Sequence, residues 1–167
     1  MLWTPATITG LMVVSVFVLA TEGRACDIDN HAVVNESPNG PYSMNCINNH
    51  STANINGSSD VTIREIIDNH SGGNISSKGF INIGDRIDGE SGTNPALVLD
   101  AEKGIVIGKR VDGGSRVTLR SRGPIRIGEK IDNGNTEVTW CAPSFTVPQV
   151  NGGAKAKKEP GCKFPNP

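Results

Sequence analysis

A four-residue string recurs along this chain at almost constant spacing. "IDNH" begins at Ile28 and again at Ile67, and the near copy "INNH" begins between them at Ile47. Alignment on this string gives six repeats, each opened by Ile or Val and then Asp or Asn. They begin at Ile28, Ile47, Ile67, Ile87, Val111 and Ile131, at intervals of 19, 20, 20, 24 and 20 residues. Such a period is typical of a solenoid, in which each repeat forms one turn and stacks on the previous turn.

The remaining positions of each repeat predict short β-strands. "INIGDRID" (from Ile81), "IVIGKRVD" (from Ile105) and "IRIGEKID" (from Ile125) align without gaps, and a second apolar triplet recurs as "LVL", "VTL" and "VTW". Alternation of apolar residues within a triplet indicates a strand with one buried face. Two triplets, a lone inward Ile or Val and glycine turns in each repeat predict an all-β fold. We expect a single-stranded parallel β-helix of about six rungs, a rung being one turn of about 20 residues.

In this interpretation the recurring string is mainly a structural corner. Its Ile points into the core, and Asp or Asn follows where the chain bends. Asn and Gly accept the left-handed backbone conformation that such bends require. Stacked Asn side chains could also form hydrogen bonds from rung to rung.

The repeat pattern resembles that of right-handed parallel β-helices in secreted bacterial proteins, including haemagglutinin-type adhesin repeats. The resemblance covers about residues 28–140. It implies a right-handed coil and an exported, adhesin-like protein. Left-handed β-helices use an 18-residue coil built from hexapeptides, and although "IGEKID" resembles one such hexapeptide, that register is not sustained.

The two ends of the chain are expected to lie outside the solenoid. Residues 1–25 have the apolar segment "LMVVSVFVLA" and small residues before Cys26, as in a signal peptide cleaved after Ala25 or, alternatively, after Ala20. The protein is then secreted or periplasmic, with no membrane span after cleavage. The solenoid is assigned to residues 26–140, and the Pro-rich residues 141–167 to a C-terminal cap or tail with disorder around residues 152–160.

Four cysteines remain after the predicted cleavage, and an even number in an exported chain indicates disulfides. Cys26 and Cys46 are 20 residues apart, which is one rung. Stacking would place their Cα atoms within the usual disulfide range of about 4.4–6.8 Å. A second bond, from Cys141 to Cys162, would tie the tail over the open end of the solenoid.

Two columns of side chains are candidates for chemistry. His31, His50 and His70 occupy one position in three consecutive rungs and could share Zn or Cu, but exposed corner histidines are the favoured interpretation, and no metal or cofactor is expected. Asp clusters on one flank of a β-helix occur in lyases and hydrolases, which by resemblance have longer coils. Here we expect the acidic and basic columns to neutralise one another, and we expect no enzyme activity. These columns are Asp68, Asp88, Asp112 and Asp132, and Arg86, Arg110 and Lys130.

Positive charge is concentrated late in the repeats. Between Lys103 and Lys130 there are eight basic and two acidic residues. A basic patch there could hold an anionic glycan or lipopolysaccharide, with ordinary solvated surface as the alternative. Nucleic acid is not expected, because exposed aromatic residues for base stacking are lacking. The candidate binding residues are Arg110, Arg120, Arg122, Arg126 and Lys130.

Three functions are compatible with these patterns. The favoured one is an exported structural or surface-binding β-solenoid, monomeric and adhesin-like, with affinity for anionic polysaccharide or a cell-surface component. The first alternative is a self-assembling filament module, against which the disulfide-held, Pro-rich tail argues. The second is a small carbohydrate-active β-helix enzyme.

Overall fold

The chain returns to the same three sides in every repeat. In the computed structural model, which describes residues 26–68, 70–89 and 96–163, eighteen short strands form three sheets. Every neighbouring pair of strands is parallel, and paired strands are about one repeat apart in sequence. At three sides per turn, the described strands make about six turns. The predicted all-β, single-stranded parallel solenoid is therefore confirmed. The predicted signal peptide, residues 1–25, lies outside the described residues.

The three sheets form the three sides of the solenoid. The seven-stranded sheet contains β1 (Val33–Glu36), β3 (Thr52–Gly57), β6 (Gly72–Ser77), β9 (Leu97–Ala101), β12 (Arg116–Ser121), β15 (Glu137–Cys141) and β18 (Lys155–Lys158). The six-stranded sheet contains β2 (Tyr42–Met44), β4 (Val61–Ile63), β7 (Phe80–Ile83), β10 (Gly104–Ile107), β13 (Ile125–Ile127) and β16 (Phe145–Thr146). The five-stranded sheet contains β5 (Ile66–Ile67), β8 (Arg86–Asp88), β11 (Arg110–Asp112), β14 (Lys130–Ile131) and β17 (Gln149–Val150).

Rows of aliphatic side chains fill the space between the sheets. Ile107 stacks in register between Ile83 and Ile127, and all three are almost completely buried. The residue beside it, Val106, points outward and is 38% exposed. Burial of one such aliphatic side chain contributes roughly 1.5–3 kcal/mol, so regular rows can replace the large aromatic residues that this chain has in small number.

The recurring string forms a tight turn at one corner. In the first repeat, Asn30 and His31 have φ values of 55° and 63°, and the Ala32 N–H donates a hydrogen bond to the Asp29 carbonyl over 3.3 Å. Positive φ at both central residues is the mark of a type I′ turn, which Asn and Gly tolerate best. The prediction of left-handed backbone at this corner is confirmed for Asn, and the structure extends it to the following His.

The same corner occurs once more than the six repeats predict. Gly152 and Gly153 have φ values of 59° and 79°, and the Ala154 N–H donates to the Asn151 carbonyl over 2.9 Å. β18 follows this corner and pairs with β15. The stacking therefore continues to Lys158, beyond the expected boundary at residue 140, and the expectation of disorder around residues 152–160 is wrong.

Prolines do not interrupt this continuation, because they lie in the turns. Pro143 precedes β16 and Pro148 precedes β17, so neither occupies a position within a strand. Proline disrupts a sheet only where its missing N–H would have donated to a neighbouring strand. Proline content alone therefore led to the wrong expectation for residues 141–163.

Both predicted disulfides are confirmed. Cys26 is bonded to Cys46, with 4.7 Å between their Cα atoms, and ties the first rung to the second. Cys141 is bonded to Cys162 at a Cα separation of 5.6 Å and ties the end of the described chain to the sixth rung. Within the described residues the first and last rungs each pair with one neighbouring rung, and terminal elements of this kind open most readily, so these bonds hold the ends of the solenoid.

We expect Ile107→Asp to destabilise the protein by several kcal/mol, because it places an unpaired carboxylate in a completely buried row. Val106→Asp makes the same chemical change one residue away on the exposed side of the same strand, and should cost less than about 1 kcal/mol. Chemical denaturation of both variants checks this. Similar losses in the two would contradict the assignment of inward and outward positions.

Candidate functional site

The five predicted binding residues do not form one patch. Arg120 lies on the seven-stranded sheet, Arg126 on the six-stranded sheet, and Arg110 and Lys130 on the five-stranded sheet. Arg122 lies in the turn between β12 and β13. Strand alternation correctly gives outward positions for Arg120 and Arg126, but it does not tell on which side of the solenoid an outward residue lies.

Arg120 is engaged in holding the end of the chain. Its Nε and Nη2 atoms donate to the Glu159 carboxylate over 2.9 Å and 2.5 Å. This two-point ion pair joins the fifth rung to the segment that follows β18, and it holds the pKa of Glu159 below its ordinary value. Arg120 is therefore better explained as a structural residue than as a ligand-binding one.

Arg110 and Lys130 are neutralised by carboxylates of the acidic column. The two columns run side by side along the five-stranded sheet, and each cation contacts the Asp two positions later in the chain. The predicted neutralisation is confirmed. The three contacts are Arg86 Nε–Asp88 Oδ2 at 3.4 Å, Arg110 Nε–Asp112 Oδ2 at 2.6 Å and Lys130 Nζ–Asp132 Oδ2 at 2.6 Å.

The other two predicted cations remain available. Arg122 and Arg126 are exposed, and neither takes part in an ion pair within the described part of the chain. Lys103 is exposed one rung earlier at the same corner, where Gly123 packs directly on the Lys103 carbonyl. We call Lys103, Arg122 and Arg126 the basic corner. Glu102, in the same turn as Lys103, adds one negative charge beside it.

A pair of carboxylates on the five-stranded sheet is set to share a proton. Asp112 stacks in register on Asp88, and one of its oxygens, Oδ1, is buried without a hydrogen-bond partner. Burial and the neighbouring Asp88 carboxylate raise the pKa of Asp112 to about 6, while Arg110 and Arg86 act in the opposite direction. A protonated Asp112 can donate a hydrogen bond to the Asp88 carboxylate, so Asp112 takes up its proton at mildly acidic pH.

The opposite shift occurs one rung later. A hydrogen bond from Lys130, with a second from the Asn133 backbone N–H, lowers the pKa of Asp132 below its ordinary value. Asp112 and Asp132 occupy equivalent positions in successive repeats, but their pKa values are shifted in opposite directions. Their difference comes from burial and from the neighbouring rung, not from the repeat itself.

The three predicted histidines stack as a column. Their ring centroids are 5.0 Å apart between His31 and His50, and 4.7 Å apart between His50 and His70, with interplanar angles of 8° and 7°. The nitrogen lone pairs of parallel rings lie in separate planes and do not converge on one point, whereas zinc requires converging ligands. Within residues 26–68, 70–89 and 96–163, no group of three or more His, Cys, Asp or Glu residues is arranged to hold a metal ion.

The predicted hydrogen bonds between asparagines of successive rungs form on a strand face. On the seven-stranded sheet, Asn54 Nδ2 donates to Asn35 Oδ1 over 3.0 Å, and Asn74 Nδ2 donates to Asn54 Oδ1 over 3.4 Å. At the corner, Asp29 Oδ1 accepts a hydrogen bond from the Asn30 N–H, and Asn48 Oδ1 accepts one from the Asn49 N–H. The outer face of the early rungs is consequently a polar amide surface.

Comparison with known proteins found no match among protein-family models, curated proteins or solved structures. The structure supports the coarse part of the resemblance, a parallel β-solenoid, on its own geometry. Among the residues that the structure describes, there is no helix of the length and apolar character needed to cross a membrane.

We expect Asp112→Asn to stabilise the protein at pH 8 and to leave its stability unchanged near pH 3. A carboxyl with a raised pKa in the folded state keeps its proton while the unfolded chain loses it, so stability falls as pH rises from about 4 to 6. Replacement of the carboxyl by an amide should restore the free energy of unfolding lost at high pH, which is of order 1 kcal/mol after allowance for solvent screening.

Asp132→Asn is the matched control, because the lowered pKa of Asp132 predicts the reverse sign. The Asp132 carboxylate stabilises the folded protein above the ordinary carboxyl pKa, and this contribution is lost as pH falls through the lowered pKa. The Asn variant lacks it and should therefore be less stable than the wild type at pH 8. Thermal unfolding from pH 3 to pH 8 compares both variants with the wild type. A lower stability of Asp112→Asn at pH 8 would contradict the proton-sharing interpretation.

Proposed function

We propose that this protein is an exported, adhesin-like β-solenoid that binds surfaces through anionic polysaccharide held at the basic corner. The carrying observation is that Arg122 and Arg126 are exposed and belong to none of the ion pairs in the described part of the chain, whereas Arg110, Arg120 and Lys130 are each paired with a carboxylate. Of the five candidate binding residues, the proposal therefore keeps Arg122 and Arg126.

The chemistry of the corner favours a sulfated, phosphorylated or uronic ligand. Lys103 and Arg122 lie on adjacent rungs, so their charges act together within a Debye length, roughly 8 Å at physiological salt. Guanidinium groups bind carboxylate, sulfate or phosphate oxygens in a two-point geometry. A neutral glycan could contact the partly exposed Phe80 ring, which packs against Gly104 beside Lys103, but it would form no ion pair with the three cations.

Export and a non-enzymatic role belong to the same proposal. Two disulfides are consistent with an oxidising compartment, since such bonds are rare in the reducing cytosol. The aspartates that would suggest hydrolytic chemistry, Asp88, Asp112 and Asp132, each contact a cation. We infer that this column maintains the five-stranded side and that the protein acts by binding.

We expect the exported protein to bind heparin and lipopolysaccharide more strongly than a neutral glycan, with an affinity that falls as salt rises. The double variant Arg122→Glu, Arg126→Glu should lose about tenfold or more in affinity, which corresponds to ~1.4 kcal/mol. Isothermal titration or surface plasmon resonance at two salt concentrations measures both effects.

The matched control is Arg64→Glu with Arg116→Glu, which reverses two exposed arginines away from the basic corner and changes the net charge equally. Its affinity should remain within about threefold of wild type, since net charge alone acts weakly through screened solvent. Equal losses in the two double variants, or binding that ignores salt, would leave the basic corner as ordinary solvated surface.

A further inference from the structure

One exposed aromatic side chain lies beside the basic corner. In the described part of the chain four large hydrophobic side chains are exposed, and Phe80, at 36%, is the one aromatic among them. Phe80 begins β7 and takes an outward position, because Ile81 beside it is completely buried. Gly104 and Pro124 occupy the same position in the next two rungs, so the repeat itself does not require an aromatic ring there.

The Phe80 ring projects along the solenoid toward the next rung. A Cβ on Gly104 would lie 2.8 Å from Cε1 and 3.0 Å from Cδ1 of this ring, so the ring occupies the space that a side chain would need one rung later. Lys103 directly precedes Gly104, and the exposed Pro124 follows on the rung after that. Phe80, Gly104 and Pro124 therefore form an apolar strip that crosses three rungs, with roughly 10 Å between its ends at the usual strand spacing.

Cations of the basic corner flank this strip. Arg122 lies two residues before Pro124, in the turn, and Arg126 lies two residues after it, at the outward position of β13. Both arginines are exposed. Val106 stacks in register on Arg126, is 38% exposed and extends the apolar surface on that side. The corner therefore combines an apolar strip with guanidinium groups before and after it in the chain.

The other charges close to the ring balance one another. The Phe80 N–H donates a hydrogen bond to Asp60 Oδ1 over 2.9 Å, and the exposed Lys78 lies two residues before Phe80 in the same turn. Glu102 and Lys103, adjacent in the following turn, likewise carry opposite charges. The excess of positive charge beside the strip therefore comes from the two arginines of the basic corner.

An aromatic ring between cations suits a ligand that carries both sugar rings and negative charge. The C–H groups on the face of a pyranose ring pack well on the negatively polarised face of an aromatic ring. Sulfate or carboxylate groups on that sugar would then face Arg122 and Arg126, since guanidinium groups bind oxyanions at two points.

We propose that Phe80 is the stacking platform for an acidic pyranose at the basic corner. The site then recognises a sulfated or uronic polysaccharide and discriminates against polyanions that lack sugar rings. This assignment rests on the proposed binding of polysaccharide at the same corner and narrows the class of ligand. A ring that only shields the Gly104 backbone would contribute to stability and not to affinity, so the two roles give different results on substitution.

Two polyanions isolate the contribution of the ring. Heparin carries sulfate and carboxylate groups on sugar rings, whereas inorganic polyphosphate carries negative charge without rings. Phe80→Ala should lower the affinity for heparin about tenfold and that for polyphosphate by less than about twofold, as measured by isothermal titration. Phe80→Tyr keeps the ring and should bind heparin within about threefold of the wild type. Phe80→Leu keeps an apolar cover over Gly104 without a ring, so it should show the same selective loss as Phe80→Ala.

Val33→Ala is the matched control, because it removes exposed apolar surface from the seven-stranded side, and both affinities should be unchanged. Circular dichroism melts establish that each variant is folded. Heparin affinity equal to that of the wild type in Phe80→Leu, or equal losses for heparin and polyphosphate, would overturn the stacking role. If Arg122→Glu with Arg126→Glu still abolishes heparin binding in that case, the basic corner stands and the platform alone is rejected. A wild type that binds no heparin would reject both.

Discussion

The parallel pairing of each strand with the strand one repeat away is the interaction on which this structure depends. Neighbouring strands in a sheet are about 4.8 Å apart, so every side chain has its repeat-mate as its closest neighbour above and below. Each side chain therefore has to pack favourably against the equivalent side chains of the rungs above and below it. Isoleucines satisfy that condition by filling rows, asparagines by hydrogen bonding along the seven-stranded face, and histidines by stacking parallel rings.

Charged residues meet the same condition with more difficulty. A column of aspartates places like charges on successive rungs, which is unfavourable unless cations lie between them or protons are taken up. The five-stranded side uses both solutions, since Arg110 and Lys130 contact carboxylates while the pKa of Asp112, raised to about 6, favours uptake of a proton by Asp112 at mildly acidic pH. At another corner the backbones of successive rungs are too close for a side chain, and glycine is required. A Cβ on Gly108 would lie 2.1 Å from the Gly84 carbonyl oxygen.

The sequence predicted what repetition alone determines. The period indicated the rungs, alternation indicated inward and outward positions, and one-rung spacing indicated the Cys26–Cys46 bond. It could not indicate the side of the solenoid on which Arg120 or Arg126 lies, because the turns between triplets decide that angle. It also missed the last repeat, although "VNGG" at Val150 lies 19 residues after Ile131, since the strand that follows, "KAKK", has no large apolar residue. β18 is the last strand of its sheet in the described part of the chain, and the aliphatic rows of the interior do not extend fully to it, so the apolar pattern there is weak.

The proposed polysaccharide binding depends on valency, that is, on how many basic corners act on one polysaccharide chain. The basic corner offers only Lys103, Arg122 and Arg126, with Glu102 nearby, so one molecule can engage only a short run of anionic groups. A polysaccharide repeats its charges along its length, so one polysaccharide chain could engage the basic corners of several neighbouring molecules. Each additional corner then binds an already tethered chain at high effective concentration, and avidity can exceed the affinity of one corner by about 10²–10⁴ without any new contact. If the proposed binding holds, a solenoid with few ligand contacts per molecule would gain most of its binding strength from the display of many copies on one surface.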